Sequence, residues 1–245
     1  MNSSVAATDF QSCEVAEIFF CPEESRFYTT CLKALVFNCD PAPKTVVEFG
    51  SGDGNPVIEA LHESGFAGCI EGFELDVTAC DIANTSSKLN KLQDRYKITN
   101  ASFFAHTERA ADCLIANPPY LPAPDRNIRL PLLYGGEDGA APTNALLSLR
   151  FNSAMLMVSS FSNPVGTIRH AAAQGYSVSD FVIMPLMFGI YSSEPKVKRR
   201  IAALRKTGKA FYDEDMYLLA GVLFKKHERA FADHSTGLIK ILTAL

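Results

Sequence analysis

A chain of 245 residues, 47% of them hydrophobic, is long enough to form one large domain with a substantial core. A formal net charge of −4 argues against a global field that attracts nucleic acids, and the seven cysteines show no zinc-ligand spacing, so we expect no metal site. The N-terminus lacks a basic-then-apolar signal pattern and no apolar stretch is long enough to span a bilayer, so we expect a cytoplasmic protein without membrane contact.

The chain begins with a polar segment, residues 1–20, for which we expect loose order, and continues as a single domain over residues 21–245. Helices are predicted at 23–37, 56–63, 78–93, 143–150 and 164–174. Strands are predicted at 46–49, 69–74, 101–105, 113–116, 154–159, 178–184 and 216–224. This alternation predicts an α/β fold, with a Rossmann-like, seven-stranded, mostly parallel sheet that carries helices on both faces.

A glycine-rich turn, residues 50–54, follows the first predicted strand. Its small residues let the backbone take positive φ and approach a ligand closely, and they are Gly50, Ser51, Gly52 and Gly54. A dinucleotide-binding fingerprint would place its third glycine at position 55, where this chain has Asn55. The spacing therefore disfavours a nicotinamide-dependent oxidoreductase.

Acidic residues surround the same turn. Glu48 precedes it and Asp53 lies within it. Carboxylates repel a diphosphate but suit a ligand that carries an ammonium or sulfonium group, so the turn favours S-adenosylmethionine. Asp53 is expected either to orient the cofactor ammonium or to cap the following helix. The next strand ends in Glu74, the expected position of an acid that binds ribose hydroxyls, with Asp76 as the alternative register.

A compact motif follows the predicted strand 113–116, and it consists of Asn117, Pro118, Pro119 and Tyr120. The prolines fix φ and remove backbone donors, which favours a shaped rim over a continuing strand. Asn117 Oδ1 and the Pro118 carbonyl can accept the two N–H bonds of a planar NH2 group. Tyr120 would then cover the face of that group, or alternatively pack under the edge of the sheet.

With these motifs in this order, the chain resembles the class I S-adenosylmethionine-dependent methyltransferases that carry an Asn-Pro-Pro-Tyr motif. Within them it is most similar to the HemK-like protein-glutamine N5-methyltransferases. Residues 22–25 look like that family's Pro-Arg-x-x-Thr-Glu, 112–122 like its Asp-x-Ile-x-x-Asn-Pro-Pro-Tyr-Ile-Pro, and 133–139 like its Leu-x-Gly-Gly-x-Asp-Gly. The resemblance implies the class I fold, S-adenosyl-L-methionine as cofactor with S-adenosyl-L-homocysteine as product, and methylation of a protein glutamine amide.

The chain departs from the family pattern in three respects. Leu130 stands where the family has a glutamate before proline, and His106 stands where an aspartate usually contacts the adenine amine. By position His106 is expected to face the adenine, with a surface histidine as the alternative. Because the segment before the glycine turn is short, we expect no counterpart there of the helical substrate-recruiting domain of the release-factor enzymes. We therefore expect the cofactor and the type of nucleophile to carry over better than the substrate.

A basic segment, residues 196–209, lies in a predicted helical insertion at 190–212 between the last two strands. Seven of its 14 residues are basic and none is acidic. Such clustering on a negatively charged chain is typical of a surface that contacts RNA or DNA, and a solvated helix face is the alternative.

Three hypotheses follow for the function. The first is methyl transfer to a protein glutamine amide, or to the amide of a small molecule, which the likeness at 133–139 favours. The second is methylation of an adenine or another nucleobase amino group on RNA or DNA. That group is also a planar NH2, and the basic segment favours it. The third is a catalytically silent binding subunit that keeps the fold, which the departures at His106 and Leu130 leave open.

Overall fold

The computed structural model describes residues 19, 21–106, 111–149, 151–226 and 232–245. The helices are α1 (Pro22–Leu32), α2 (Asn55–Glu63), α3 (Val77–Leu89), α4 (Ala141–Ser148), α5 (Pro164–Ala173), α6 (Pro195–Lys206) and α7 (Ser235–Leu242). The strands are β1 (Thr45–Phe49), β2 (Cys69–Glu74), β3 (Tyr96–Asn100), β4 (Cys113–Ala116), β5 (Ser153–Ser159), β6 (Tyr176–Met187) and β7 (Met216–Lys226). A π-helical turn, Lys33–Phe37, extends α1, and two 3₁₀ turns occupy Phe103–His106 and Pro131–Leu133.

The strands of the described residues form one sheet in the order β3-β2-β1-β4-β5-β7-β6. The first five strands pair in parallel, whereas β7 runs antiparallel to both β5 and β6. The chain reverses its direction of winding between β1 and β4, and open α/β sheets bind ligands at such a point, beyond the carboxyl ends of the strands. The predicted seven-stranded, mostly parallel sheet is confirmed.

Alternating strand residues divide the core into two layers, because successive side chains point to opposite faces of a sheet. Val46 and Ile115 face one layer, which α1, α2, α3 and α6 cover. Val47 and Leu114 face the other, which α4, α5 and α7 cover. Helices on both faces, as the sequence predicts, therefore seal a sheet whose central strands are buried on both sides.

The third strand is where the sequence prediction was wrong. We expected it at 101–105, but β3 occupies Tyr96–Asn100, where Tyr96 and Ile98 are buried in alternation. The apolar residues that follow form a 3₁₀ turn. The Phe103 ring packs edge-on against Phe49 and Phe73, with centroid distances of 5.6 and 5.4 Å. The apolar run thus closes the end of the sheet instead of extending it.

Other differences lie at the ends of elements and of the chain. The helix predicted over 78–93 ends at Leu89, and α7 was not predicted. Of the segment 1–20 the structure describes Phe19, whose ring lies 5.7 Å from that of Tyr191, and the rest of that expectation lies outside the described residues. Within the described part of the chain, no helix is long and apolar enough to cross a membrane.

Candidate functional site

The glycine turn joins β1 to α2 in a backbone conformation that glycine favours. Gly50, Gly52 and Gly54 have φ of +68°, +55° and +74°. A Cβ built on Gly50 or Gly52 would meet no atom of the described residues within 4 Å, whereas one on Gly54 would lie 3.1 Å from Ala83 Cβ. The first two glycines therefore face open space, and the third packs against α3.

Backbone hydrogen bonds tie this turn to the end of β2. The amides of Gly50 and Ser51 donate to the Phe73 carbonyl at 2.9 and 3.2 Å. The Ser51 side chain is buried against β2, where a Cβ on Gly72 would lie 2.3 Å from Ser51 Oγ. Gly72 thus makes the room that lets the turn sit directly against the neighbouring strand.

Glu74 lies at the end of β2, as predicted, and its carboxylate organises the same turn. Its Oε2 accepts from the Gly52 amide at 2.8 Å, and its Oε1 accepts from the amides of Leu75 and Asp76 at 2.8 and 2.9 Å. Asp76 itself caps α3 by accepting from the Ala79 amide at 2.8 Å. Because Oε2 accepts this single bond in the described structure, it keeps one acceptor direction for a ligand hydroxyl.

Glu48 is a buried residue among those predicted to bind the cofactor. Its carboxylate is 2% exposed and accepts hydrogen bonds from Tyr96 at 2.6 Å and Tyr28 at 3.3 Å. Burial raises the pKa of Glu48 to about 7, against the opposing effect of these hydrogen bonds. Glu48 therefore supports the turn from beneath and does not line its open side.

Asp53 and His106 occupy the margins of the turn region. Asp53 accepts from the Asn55 amide at 3.1 Å and from Asn55 Nδ2 at 2.7 Å. The N-cap of α2 is Gly54, and no side-chain hydrogen bond within the described residues caps this helix, so both expected roles of Asp53 stay predictions. His106 ends the 3₁₀ turn that follows β3, at the edge of the sheet where the glycine turn also lies. Its contact with an adenine stays a prediction.

Two exposed apolar side chains near this edge were not singled out from the sequence. Leu75 directly follows Glu74 and is 61% exposed, and Phe104 is 42% exposed. The Phe104 ring lies 5.6 Å from the ring of Phe49, the residue before the glycine turn. Large apolar side chains left in water beside a turn of open glycines suit the flat face of an aromatic base. The signal in the sequence is an apolar residue directly after the strand-end acid, together with a Phe-Phe pair.

Asn117 directly follows β4, and among the described residues only the NH2 group of its side-chain amide has a hydrogen-bond partner. Its Nδ2 donates to Glu24 Oε1 at 2.8 Å. Its Oδ1 is enclosed, and none of the described residues donates to it. An enclosed polar atom without a hydrogen bond costs about 1–3 kcal/mol, so native proteins keep few of them and usually for a functional reason. The amide oxygen is therefore suited to a donor that arrives with a ligand.

Tyr120 lies in the core, which agrees with the alternative in which it packs under the edge of the sheet. It is 9% exposed, its ring centroid lies 5.6 Å from that of Phe161, and its hydroxyl lies 3.4 Å from that of Tyr217. Its carbonyl accepts from the Ser162 hydroxyl at 2.7 Å. Pro118 is buried and Pro119 is half-buried. The expected stacking of Tyr120 over a ligand is not what these contacts show, and the ring anchors the motif instead.

The glycine-rich segment at 133–139 packs directly on the Asn-Pro-Pro-Tyr motif. A Cβ on Gly135 would lie 2.7 Å from Tyr120 Cα, and one on Gly139 would lie 2.5 Å from the Tyr120 carbonyl oxygen. The Leu121 amide donates to the Leu133 carbonyl at 3.1 Å, and the Gly135 amide returns a bond to Leu121 at 2.9 Å. Glycines at these two positions therefore let the two motifs touch along their backbones.

Glu24 is a site residue that sequence reasoning missed. It lies in the first turn of α1, is 4% exposed and contacts Asn117 across 93 positions of sequence. Burial raises the pKa of Glu24, while the hydrogen bond from Asn117 lowers it. The available signal was the proline-and-acid start of this helix, which also carries part of the family resemblance.

The predicted basic helix exists as α6, and much of its charge is paired within the chain. Lys196 pairs with Asp125, Lys198 Nζ lies 2.8 Å from Asp215, and Arg200 Nε donates to the Glu137 carbonyl at 2.7 Å. A fourth cation, the guanidinium of Arg205, lies 4.4 Å from the centre of the Tyr212 ring. Four of the seven basic residues at 196–209 thus have internal partners, and two of these pairs join α6 to the segment after the motif.

Comparison with known proteins identifies the fold. No family model matches the chain, and no curated protein matches it. A solved structure from Pyrococcus horikoshii, assigned as an RNA methyltransferase, is 12% identical, with 86% of each chain covered and a TM-score of 0.55. TYW2 from M. jannaschii, solved in complex with AdoMet, is 13% identical, with 87% of this chain and 80% of that chain covered and a TM-score of 0.50. The chain therefore has the Rossmann-like α/β fold of the methyltransferases.

Proposed function

We propose that this protein is an S-adenosylmethionine-dependent N-methyltransferase that acts on a planar NH2 group. The observation that carries the proposal is that the glycine turn and the Asn-Pro-Pro-Tyr motif begin next to each other, at the ends of two adjacent strands. Phe49 pairs with Ala116 in the parallel register of β1 and β4, so Gly50 and Asn117 are the next residues of adjacent strands. Adjacent strands lie about 5 Å apart, so a ligand on the glycine turn is a direct neighbour of the Asn117 amide.

The residues around the glycine turn fit the proposed cofactor. The open faces of Gly50 and Gly52 would receive its methionine end, and the remaining acceptor direction of Glu74 would bind its ribose. Leu75 and Phe104 offer apolar surface to its adenine. The fold shared with TYW2, which was solved with AdoMet, adds support. This support is general and not specific, because one fold can host many functions.

The chemistry assigned to the chain itself is the positioning of a nitrogen nucleophile. The cofactor supplies an electrophilic methyl group on a sulfonium. Asn117 Oδ1 and the Pro118 carbonyl accept the two N–H bonds of the acceptor, which directs its lone pair toward that methyl and orients it for in-line displacement. The positive charge that develops on the nitrogen strengthens both bonds, so they stabilise the transition state more than the ground state. The proton leaves after transfer, and no strong general base is required.

A protein glutamine amide is the acceptor we favour. The proposal rests on the likeness of residues 112–122 and 133–139 to the glutamine methyltransferases, and on the direct packing of these two segments. The nucleobase alternative depends on the basic segment, and four of its seven cations already have partners within the chain. Nucleic acid would have to compete with those contacts, which weakens the alternative.

Substitution of Asn117 tests the assignment. We expect Asn117→Ala to lose at least about a hundredfold in methyl transfer, because both the orientation and the charge stabilisation of the acceptor are lost. Cofactor affinity should stay within a few fold. Exposed Asn152, on the opposite edge of the sheet from the motif, provides the matched control as Asn152→Ala. Labelled methyl groups are followed into separated protein and RNA fractions, which also identifies the acceptor.

Two outcomes would count against the proposal. An Asn117→Ala variant that keeps most of the wild-type activity would remove Asn117 from the catalytic role. A wild-type protein that binds the cofactor but labels neither fraction would favour the silent-subunit hypothesis.

A further inference from the structure

Glu24 is a buried acid at the site to which neither the motifs nor the comparisons assign a role. We propose that its ionised carboxylate is a positioning group that fixes the rotation of the Asn117 amide, so that Oδ1 and not Nδ2 faces the acceptor nitrogen. This inference rests on the proposed function. It concerns a positioning residue, because Glu24 contacts Asn117 and not the reacting atoms.

The hydrogen-bond chemistry of the two side chains makes the orientation depend on charge. An ionised carboxylate can only accept hydrogen bonds, so it must meet the NH2 side of the amide. Glu24 Oε1 does so, at 2.8 Å from Asn117 Nδ2. The amide oxygen is then left on the other side, where no described residue donates to it. A protonated carboxyl can instead donate to Oδ1, which allows the amide to turn over and present N–H groups to an acceptor that also carries N–H groups.

The surroundings of Glu24 make this orientation easy to perturb. Tyr120 faces it from the segment after β4, Tyr217 from β7, and Cys21 from the position before α1. No cation is among the groups that influence it in the described structure, and burial raises its pKa. Its place in the first turn of α1 favours the ionised form through the helix dipole, but only partly. Activity should therefore fall on the acid side as Glu24 takes up a proton and the amide loses its preferred rotation.

The test compares Glu24→Gln with a control on the same helical turn. Glutamine has the shape of glutamate, but its amide can bond Asn117 in either rotation. We expect kcat to fall about tenfold while the KM for S-adenosylmethionine stays unchanged. The decrease of kcat at acid pH, which the wild type should show, should be lost in this variant. Glu24→Asp keeps the charge and should retain that decrease. Exposed Glu23, changed to Gln, should leave both kcat and its pH dependence as in the wild type.

A second readout does not require turnover or a folded variant. In wild-type protein labelled with ¹⁵N, the side-chain NH2 signals of Asn117 should shift as Glu24 titrates within the pH range over which the protein stays folded, and burial places this shift above the ordinary pKa of a glutamate. Signals that stay constant across this range would overturn the inference, as would a Glu24→Gln enzyme with wild-type kcat and the same decrease of kcat at acid pH. Failure of the proposed function would look different, because wild-type protein would then bind no S-adenosylmethionine or transfer no methyl while the Asn117 signals still titrated.

Discussion

Burial beneath the glycine turn changes the protonation of a single residue, Glu48. It is enclosed beneath the glycine turn, and its hydrogen-bond donors are the hydroxyls of Tyr28 and Tyr96. The unfolded chain loses the Glu48 proton near pH 4.5, whereas the folded protein holds it to about pH 7. Between these values the folded state binds more protons, so the free energy of unfolding falls as pH rises.

We therefore predict that Glu48→Gln reduces the pH dependence of stability. Between pH 4.5 and a pH above 7, wild-type protein should lose about 3 kcal/mol more of its free energy of unfolding than the variant does. Urea unfolding of both proteins without ligand, at several pH values, measures this difference. Parallel stability curves for the two proteins would show that Glu48 does not hold a proton in the folded state.

The sequence was informative about residues whose partners are close along the chain. The glycines at 50, 52 and 54 all have positive φ, and Glu74 lies at the strand end where it was expected. Tyr120 and Glu24 depend on packing across the molecule, and local patterns do not contain that information. Glu24 meets Asn117 from 93 positions away, and the Tyr120 side chain contacts Phe161, which lies between β5 and α5, and Tyr217 of β7.

Two glycines of the glycine turn allow effects on ligand binding to be distinguished from effects on stability. Gly50 and Gly54 both have positive φ, so alanine at either position is strained by about 1–2 kcal/mol. At Gly54 the new Cβ would also crowd Ala83 and Tyr96, at 3.1 and 3.3 Å, whereas at Gly50 it would enter open space. We predict that Gly54→Ala lowers the melting temperature more, and that Gly50→Ala weakens S-adenosylmethionine binding by a larger factor than its loss of stability explains.

Thermal unfolding and calorimetric titration of the two variants, beside the wild type, test this contrast. Equal melting temperatures for the two variants would contradict the packing assigned to Gly54. Unchanged cofactor affinity in Gly50→Ala would mean that the open face of the turn is not the binding surface.

Elements were predicted well where apolar spacing and local chemistry agreed. The strand over 69–74 has the predicted bounds, and in the structure Asp76 caps α3 directly after it. The error at β3 arose because the Phe-Phe pair at 103–104 is more apolar than the true strand, in which buried and exposed residues alternate. Only the contact of Phe103 with two neighbouring strands explains why it belongs to a turn.

The basic residues of helix α6 suggest a surface for nucleic acid, but several of them make contacts within the chain. Its charges are numerous, but Lys196 and Arg200 hold it against the segment that follows the Asn-Pro-Pro-Tyr motif. Ion pairs at such exposed positions are individually weak, so their effect is to favour one arrangement of the segment and not to add much stability. These two contacts join α6 to the segment after the motif, and contact of the helix with nucleic acid stays a prediction.

At the scale of the whole molecule, strand order creates the site. β1 and β4 are neighbours although β2 and β3 separate them in sequence, and this places Gly50 beside Asn117. Alternating patterns predicted a parallel sheet with helices on both faces. They did not specify which strands are adjacent, because strand order depends on tertiary packing. The family resemblance implied the class I fold, and the structure supplies the register that joins its two motifs.

The most direct test of the central claim is calorimetric titration of S-adenosylmethionine, and of S-adenosylhomocysteine, into the wild-type protein, with NAD as the comparison ligand. We predict micromolar binding of both sulfur ligands at one site per chain and no measurable heat with NAD. If neither sulfur ligand binds, the proposed cofactor site is wrong, because the glycine turn, Glu74 and Asn117 would then belong to a fold that has lost its cofactor.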